Sequence, residues 1–242
     1  MADASQRHSF LVRVTHWLTA LAFLALLVSG LELVVSHPRF YWGETGNVNT
    51  EPLFHLPIPA SRAMVPTGYG YTLPDQNGWS RYLHFQSAWL LVLTGLVYVG
   101  VGFFRGHFRR ELLPARSDLS AKQLMSSFGE HLRLLRFKGR PGPEEAWSYN
   151  VLQRLAYLLI IFVGFPLIVW TGLAMSPSFV SAFPAAVNVL GGQQSARTLH
   201  FLLTGALVVF LFVHVLMVIL VGFRGRMRTM ITGRVNGREE RA

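Results

Sequence analysis

Four long apolar blocks run through the chain, at about residues 14–35, 82–104, 151–175 and 198–223, and the stretches between them hold nearly all of the charge. A helix needs about 20 apolar residues to cross a bilayer, and each block meets that length. The second and fourth blocks contain no Asp, Glu, Lys or Arg. The pattern predicts four membrane-spanning helices, the third kinked at Pro166. There is no amphipathic repeat and no low-complexity segment. The connecting segments differ in kind. Residues 36–80 form a long segment rich in proline, glycine and aromatics; residues 105–150 are basic and predict a surface helix near 120–137; residues 176–197 are short and nearly uncharged. The expected fold class is all-α: one membrane domain over 1–242, a four-helix bundle with a long loop between helices one and two.

Composition supports a lipid environment. Hydrophobic residues make up 51% of the chain and charged residues 14%, against about 25% charged in soluble domains. A formal net charge of +10 would point to nucleic acid in a soluble protein. Here the basic residues sort by loop instead, so no nucleic-acid partner is expected. Of the 22 Lys and Arg, 2 precede span one, 10 lie between spans two and three (with Arg154 at the mouth of span three) and 6 follow span four. The other two loops hold Arg39, Arg62, Arg81 and Arg197. This split of 18 to 4 predicts that both termini are cytoplasmic and that 36–80 is extracytoplasmic. The polar first residues carry no cleavable signal pattern. The absence of cysteine excludes disulfides, cysteine-held iron–sulfur clusters and covalent c-type haem attachment.

Nine histidines occur, and four of them, His16, His84, His200 and His214, lie inside the apolar blocks, where a polar side chain is costly and usually functional. His200 and His214 are 14 residues apart. That separation is about 40° short of four full turns, with a rise of about 21 Å, so both point to one side at opposite depths. With the predicted topology, His16 and His214 are inner while His84 and His200 are outer. Two histidines facing one another across a helix bundle can fill both axial positions of a haem, which then passes electrons and does not bind oxygen. The reading is two haem b groups, ligated by His84/His200 and by His16/His214. Gly30 and Gly95 lie on the faces of His16 and His84, and Gly205 lies between the two histidines of span four; all three would leave room for a flat macrocycle, the alternative being ordinary close packing of transmembrane helices. Arg13, Arg81 and Arg197 each stand three residues before a ligand candidate. They can pair with haem propionates or anchor the helix ends at the interface. His8, His37, His55, His107 and His131 are expected at the surface.

The motifs R-V-T-H-W-L (13–18), R-Y-L-H-F (81–85) and R-T-L-H-F (197–201), followed by His214, resemble the bacterial cytochrome b561 / nickel-hydrogenase b-type cytochrome superfamily. That superfamily includes formate dehydrogenase gamma subunits and cytochromes of thiosulfate reductase type. The resemblance covers all four spans and implies the same two ligand pairs. It implies a multi-pass protein of the bacterial inner membrane, exchanging electrons between membrane quinone and a catalytic partner. It places the quinone near the inner haem, here around Arg13, Trp17, His214 and the basic loop. The long segment 36–80 is similar to that of thiosulfate-reductase-like cytochromes, which implies a periplasmic, molybdopterin-type redox enzyme as partner. This segment carries Phe40, Tyr41, Trp42, Phe54, Tyr69, Tyr71 and Trp79, with prolines at 38, 52, 57, 59, 66 and 74. Such content argues for order, as a cap on the outer haem or as a docking platform. A self-contained superoxide/quinone oxidoreductase is a second reading. A histidine-lined metal or proton transporter is a third, although the sequence shows neither the inverted repeats nor the broken spans common in transporters.

Overall fold

The computed structural model of the chain describes residues 8–46, 49–58, 76–135 and 151–233. Tyr69, Tyr71, Pro59, Pro66 and Pro74 of the long loop fall outside these residues, as does the expected end of the surface helix at Phe137. Helix α1 is Phe10–Ser36. Two short antiparallel strands follow, β1 (Arg39–Phe40) and β2 (Phe54–His55), with Arg39 opposite His55. Helix α2 is Gln76–Phe104. A π-helical turn at Phe108–Leu112 and a 3-10 turn at Arg116–Leu119 lead to α3, Ala121–Leu135. The third span consists of α4 (Val151–Leu159), a π segment (Ile160–Gly164) and α5 (Phe165–Leu173). Short helices α6 (Pro177–Ala182) and α7 (Pro184–Asn188) precede α8, Gln193–Thr232.

Among the described residues, four helical stretches are long and apolar enough to cross a membrane: Phe10–Ser36, Gly78–Phe104, Val151–Leu173 and Gln193–Thr232. The chain is therefore an all-α membrane protein with four spanning helices, as the apolar blocks predict. Its packing is that of a protein in lipid. Among the described residues, Ser29, Ser80, Ser195 and Thr198 are fully buried, while Leu21, Leu31, Leu96 and Val209 stay exposed. Small hydroxyl residues let helix backbones approach and satisfy their own polar groups, and large apolar side chains turn outward to acyl chains.

Two breaks in the spans depart from the sequence reading, which expected none beyond Pro166. In the third span the distortion lies one turn before Pro166. The Phe165 N–H bonds to the Ile160 carbonyl, five residues back. Pro166 has no N–H and its ring crowds the carbonyl four residues earlier, so the helix widens ahead of it. In the last span Gly222 has φ +130° and ψ 81°, a conformation that L side chains rarely adopt. That residue sits where the fourth apolar block was expected to end, and helix continues beyond it to Thr232. A third correction concerns the long loop. Its last residues are already helical, so Trp79 belongs to α2 and not to the loop.

The chain divides into two compact units. One comprises Met1–Trp17, Gly95–Phe165 and Leu207–Ala242; the other comprises Leu18–Thr94 and Pro166–Ala206. Each unit takes a portion of all four spans. His16 and His214 fall in the first unit, and His84 and His200 in the second.

Candidate functional site

In the second unit, the rings of His84 and His200 face each other with centroids 6.3 Å apart. Each is tied at Nδ1 by the same device. Ser29 on α1 donates its hydroxyl proton to the Ala25 carbonyl at 2.7 Å, and its Oγ lies 3.0 Å from His84 Nδ1. Thr171 on α5 donates to the Leu167 carbonyl at 2.8 Å, and its Oγ1 lies 3.0 Å from His200 Nδ1. A hydroxyl has one proton. With that proton given to the backbone, each oxygen accepts from the imidazole Nδ1–H, a tautomer assigned here from the hydrogen-bond network. Nε2 of both rings is then left unprotonated, with its lone pair available to a metal. A glycine follows each hydroxyl. At Gly172 it eases the approach of the ring, since a Cβ there would stand a tight 3.3 Å from His200 Cε1; at Gly30 a Cβ would stand 3.5 Å from His84 Cε1, an ordinary contact.

The described part of the long loop is bound down beside this pair. Gly43 accepts the backbone N–H groups of Gln194 and Ser195 at 3.0 and 3.2 Å, and its own N–H reaches Ser195 Oγ at 2.7 Å. The Glu44 carboxylate accepts the Gln193 N–H at 3.2 Å, placing negative charge at a helix N-terminus. Gly192 (φ +104°) permits this contact, because a Cβ there would lie 2.7 Å from the Gly43 carbonyl. Thr198 donates to the Tyr41 carbonyl at 2.6 Å, and Arg197 donates to the carbonyls of His37 and Arg39. The Arg197 guanidinium also lies over the Phe40 ring, 5.2 Å from its centroid. Phe40, almost fully buried, packs on Phe54 (4.8 Å) and on Phe201 (4.4 Å), the neighbour of His200. Arg81 is exposed on α2.

In the first unit, the rings of His16 and His214 are also 6.3 Å apart. Their surroundings are aromatic. Trp17 meets His16 edge-on at 5.2 Å, Phe210 stacks on His214 at 6.0 Å, and Tyr157 lies 6.2 Å from His214. His16 Nδ1 is buried and has no hydrogen-bond partner among the described residues. Arg13 donates to the Ile231 carbonyl at 2.7 Å, and Trp17 Nε1 donates to the Met230 carbonyl at 3.1 Å. His107 was expected at the surface and is instead half-buried, its Nε2 lying 3.4 Å from the Tyr98 hydroxyl. His37 and His55 are exposed.

Both pairs fit a metal held between two imidazoles. Two imidazole–metal bonds of about 2 Å, with roughly 1 Å more from each nitrogen to its ring centre, set centroids about 6 Å apart. Gly95 and Gly205 have no other atom within 4 Å of a Cβ position, which leaves space of the kind a macrocycle needs. Gly78 and Gly100 are equally open, so openness alone does not mark a cofactor edge. Ser29, Thr171 and Gly172 were not singled out from the sequence. The signal was present: a hydroxyl residue followed by glycine occurs once in each span, at 29–30, 94–95, 171–172 and 204–205.

Histidine pairs brought together within membrane spans are an arrangement by which a membrane electron carrier can hold a b-type haem. The model of the prokaryotic cytochrome b561 family matches residues 7–233, and the chain belongs to that family. It is a multi-pass inner-membrane cytochrome b. The chain is also similar to a putative protein-methionine-sulfoxide reductase subunit YedZ1 of Azospira oryzae (strain ATCC BAA-33 / DSM 13638 / PS). The two are 33% identical over 210 residues, covering 87% of this chain and 88% of the relative. No solved structure matches the chain significantly.

Proposed function

We propose that this cytochrome carries two haem b groups, one held by His84 and His200 and the other by His16 and His214. It moves electrons between the membrane quinone pool and a periplasmic oxidoreductase. The observation that carries the reading is the repeated 6.3 Å facing of two histidine pairs, one in each compact unit. When bound, each haem would supply a one-electron couple. The protein's part is to hold the imidazoles, seal the sites from water and present charge at their edges. The basic split of 18 to 4 supports cytoplasmic termini, which makes His16/His214 the inner pair. The quinone region is then near Arg13, Trp17 and His214, with the basic loop. Arg13, Arg81 and Arg197 serve the propionates only with donor groups not already given to carbonyls.

The partner reading follows the relative, which is named as a putative protein-methionine-sulfoxide reductase subunit. By that likeness the partner here is a reductase that receives electrons; its periplasmic place and molybdopterin type follow from the resemblance of segment 36–80 to that of thiosulfate-reductase-like cytochromes. The bound-down loop beside His200 supports a cap on this haem, with exposed Trp42 and Leu53 available to the partner.

The test is a pyridine haemochrome assay on purified protein, read with its visible and paramagnetic resonance spectra. About two low-spin b haems per chain are expected; one haem, or none, in folded protein overturns the reading. Reporter fusions after Ala242 and within 126–140 should both read cytoplasmic. A periplasmic signal at either point reverses the inner and outer assignments.

A further inference from the structure

Ser29 and Thr171 repeat one arrangement on two different helices. Each is buried, each precedes a glycine, and each sets a hydroxyl oxygen 3.0 Å from Nδ1 of a histidine on another span. Their own helices already satisfy their protons, so packing alone would not need the contact to a histidine. Nothing equivalent reaches His16, whose Nδ1 has no partner among the described residues.

We propose that Ser29 and Thr171 are positioning residues that lower the reduction potential of the haem held by His84 and His200. This rests on the reading of those histidines as haem ligands. A hydrogen bond accepted from Nδ1–H fixes the tautomer and ring orientation and raises the basicity of the ligating nitrogen. A more basic imidazole stabilises the more positive, ferric iron over the ferrous. Two such bonds act on one haem from opposite sides. Gly172 leaves room for the His200 ring beside the hydroxyl, where a Cβ would be tight at 3.3 Å. The His16/His214 haem lacks that donor strengthening at His16. Electrons therefore rest less readily on the His84/His200 haem than they would without the hydroxyls, and leave it readily when a partner draws on it.

The experiment is a spectroelectrochemical titration of the purified, haem-loaded full chain. The relevant wave is identified as the one altered in His84→Ala. In Ser29→Ala/Thr171→Val that wave should move to higher potential, with the reduced-to-oxidised ratio at a fixed potential rising about tenfold, or about 59 mV for one electron. The other wave should stay. The paramagnetic resonance signal of the same haem should shift, since the rings lose their orienting bond. Ser29→Thr and Thr171→Ser keep a hydroxyl and should leave the wave in place. If the double variant keeps both haems and neither wave moves, the proposal is overturned. If Thr171→Val loses the haem while Thr171→Ser keeps it unshifted, the hydroxyl is confirmed as what holds His200. If both lose it, the role is packing and the proposal fails. Failure of the underlying ligand reading looks different: His84→Ala would then leave both waves of the otherwise unaltered protein unchanged.

Discussion

Around His84 and His200 the neighbours are two hydroxyls and a folded loop; around His16 and His214 they are the rings of Trp17, Tyr157 and Phe210. The ring-to-ring distance is nevertheless the same at 6.3 Å. Facing imidazoles can thus be held by two kinds of surroundings. Hydroxyls set the tautomer and the direction of the lone pair. Aromatic rings set the position of the imidazole but leave Nδ1 of His16 unsatisfied, a cost of about 1–3 kcal/mol for a buried polar group. That cost is tolerable where a ligand bond to the other nitrogen compensates. The two sites should therefore respond differently to the same kind of damage.

The largest expected effect tests whether the pairs are independent. On the proposed two-haem reading, His200→Ala should turn the haem of its own pair high-spin or release it and leave the other spectrum intact, and His214→Ala should do the converse. Redox titration of each variant checks this; if both variants alter one and the same haem, the pairing is wrong. Next comes the loop. Replacing residues 41–53 with a short Gly/Ser linker removes the Tyr41 and Gly43 contacts to Thr198 and Ser195. It should loosen the His84/His200 haem alone, seen as roughly half occupancy or less in a haemochrome assay. Full occupancy with loss of partner-linked electron transfer would instead make the loop a docking element and not a cap.

A smaller effect is expected from Phe40→Ala. Phe40 is nearly fully buried between Phe54 and Phe201, so truncation should cost about 3 kcal/mol. Thermal loss of the haem beside His200 should come at lower temperature, with the His16/His214 haem unchanged. The smallest is Trp17→Phe, which keeps a ring against His16 but deletes the indole donor to Met230. A loss of about 1 kcal/mol should appear only at the His16/His214 haem. A shift at the other haem of equal size would contradict the separation of the two environments.

The four spans were legible because lipid demands long apolar runs, and residues such as those of 198–223 satisfy no other requirement. The histidine pairs were legible because polar groups in such runs are few and the separation of His200 from His214 is nearly a whole number of turns. The hydroxyl partners were not legible, because Ser29 and Thr171 also read as ordinary small residues for close helix contact. The turn at Gly222 was missed because glycine is common inside transmembrane helices and only its φ betrays a break. The seating of the long loop was hidden for another reason. Its anchors, Gly43, Tyr41 and Arg39, act mainly through backbone carbonyls, which leave no trace in side-chain chemistry. His107 looked like one more polar residue in a basic stretch, whereas the turn at Phe108–Leu112 carries Phe108 onto Tyr98 and Phe162 and takes His107 with it.

The break at Gly222 makes the chain after it a lever arm. From Gly222 to Ile231 the helix is about 13 Å long at about 1.5 Å per residue. Its far end carries the Met230 and Ile231 carbonyls that receive Trp17 and Arg13. Any side chain at position 222 would push φ back to negative values. A swing of only about 20° there displaces the tip by roughly 4–5 Å, farther than either hydrogen bond can stretch. Force applied to the tail is thus converted at one residue into motion at Trp17, whose ring lies against His16. The fulcrum favours glycine for its backbone conformation and not for want of space, since a Cβ there would meet nothing within 4 Å.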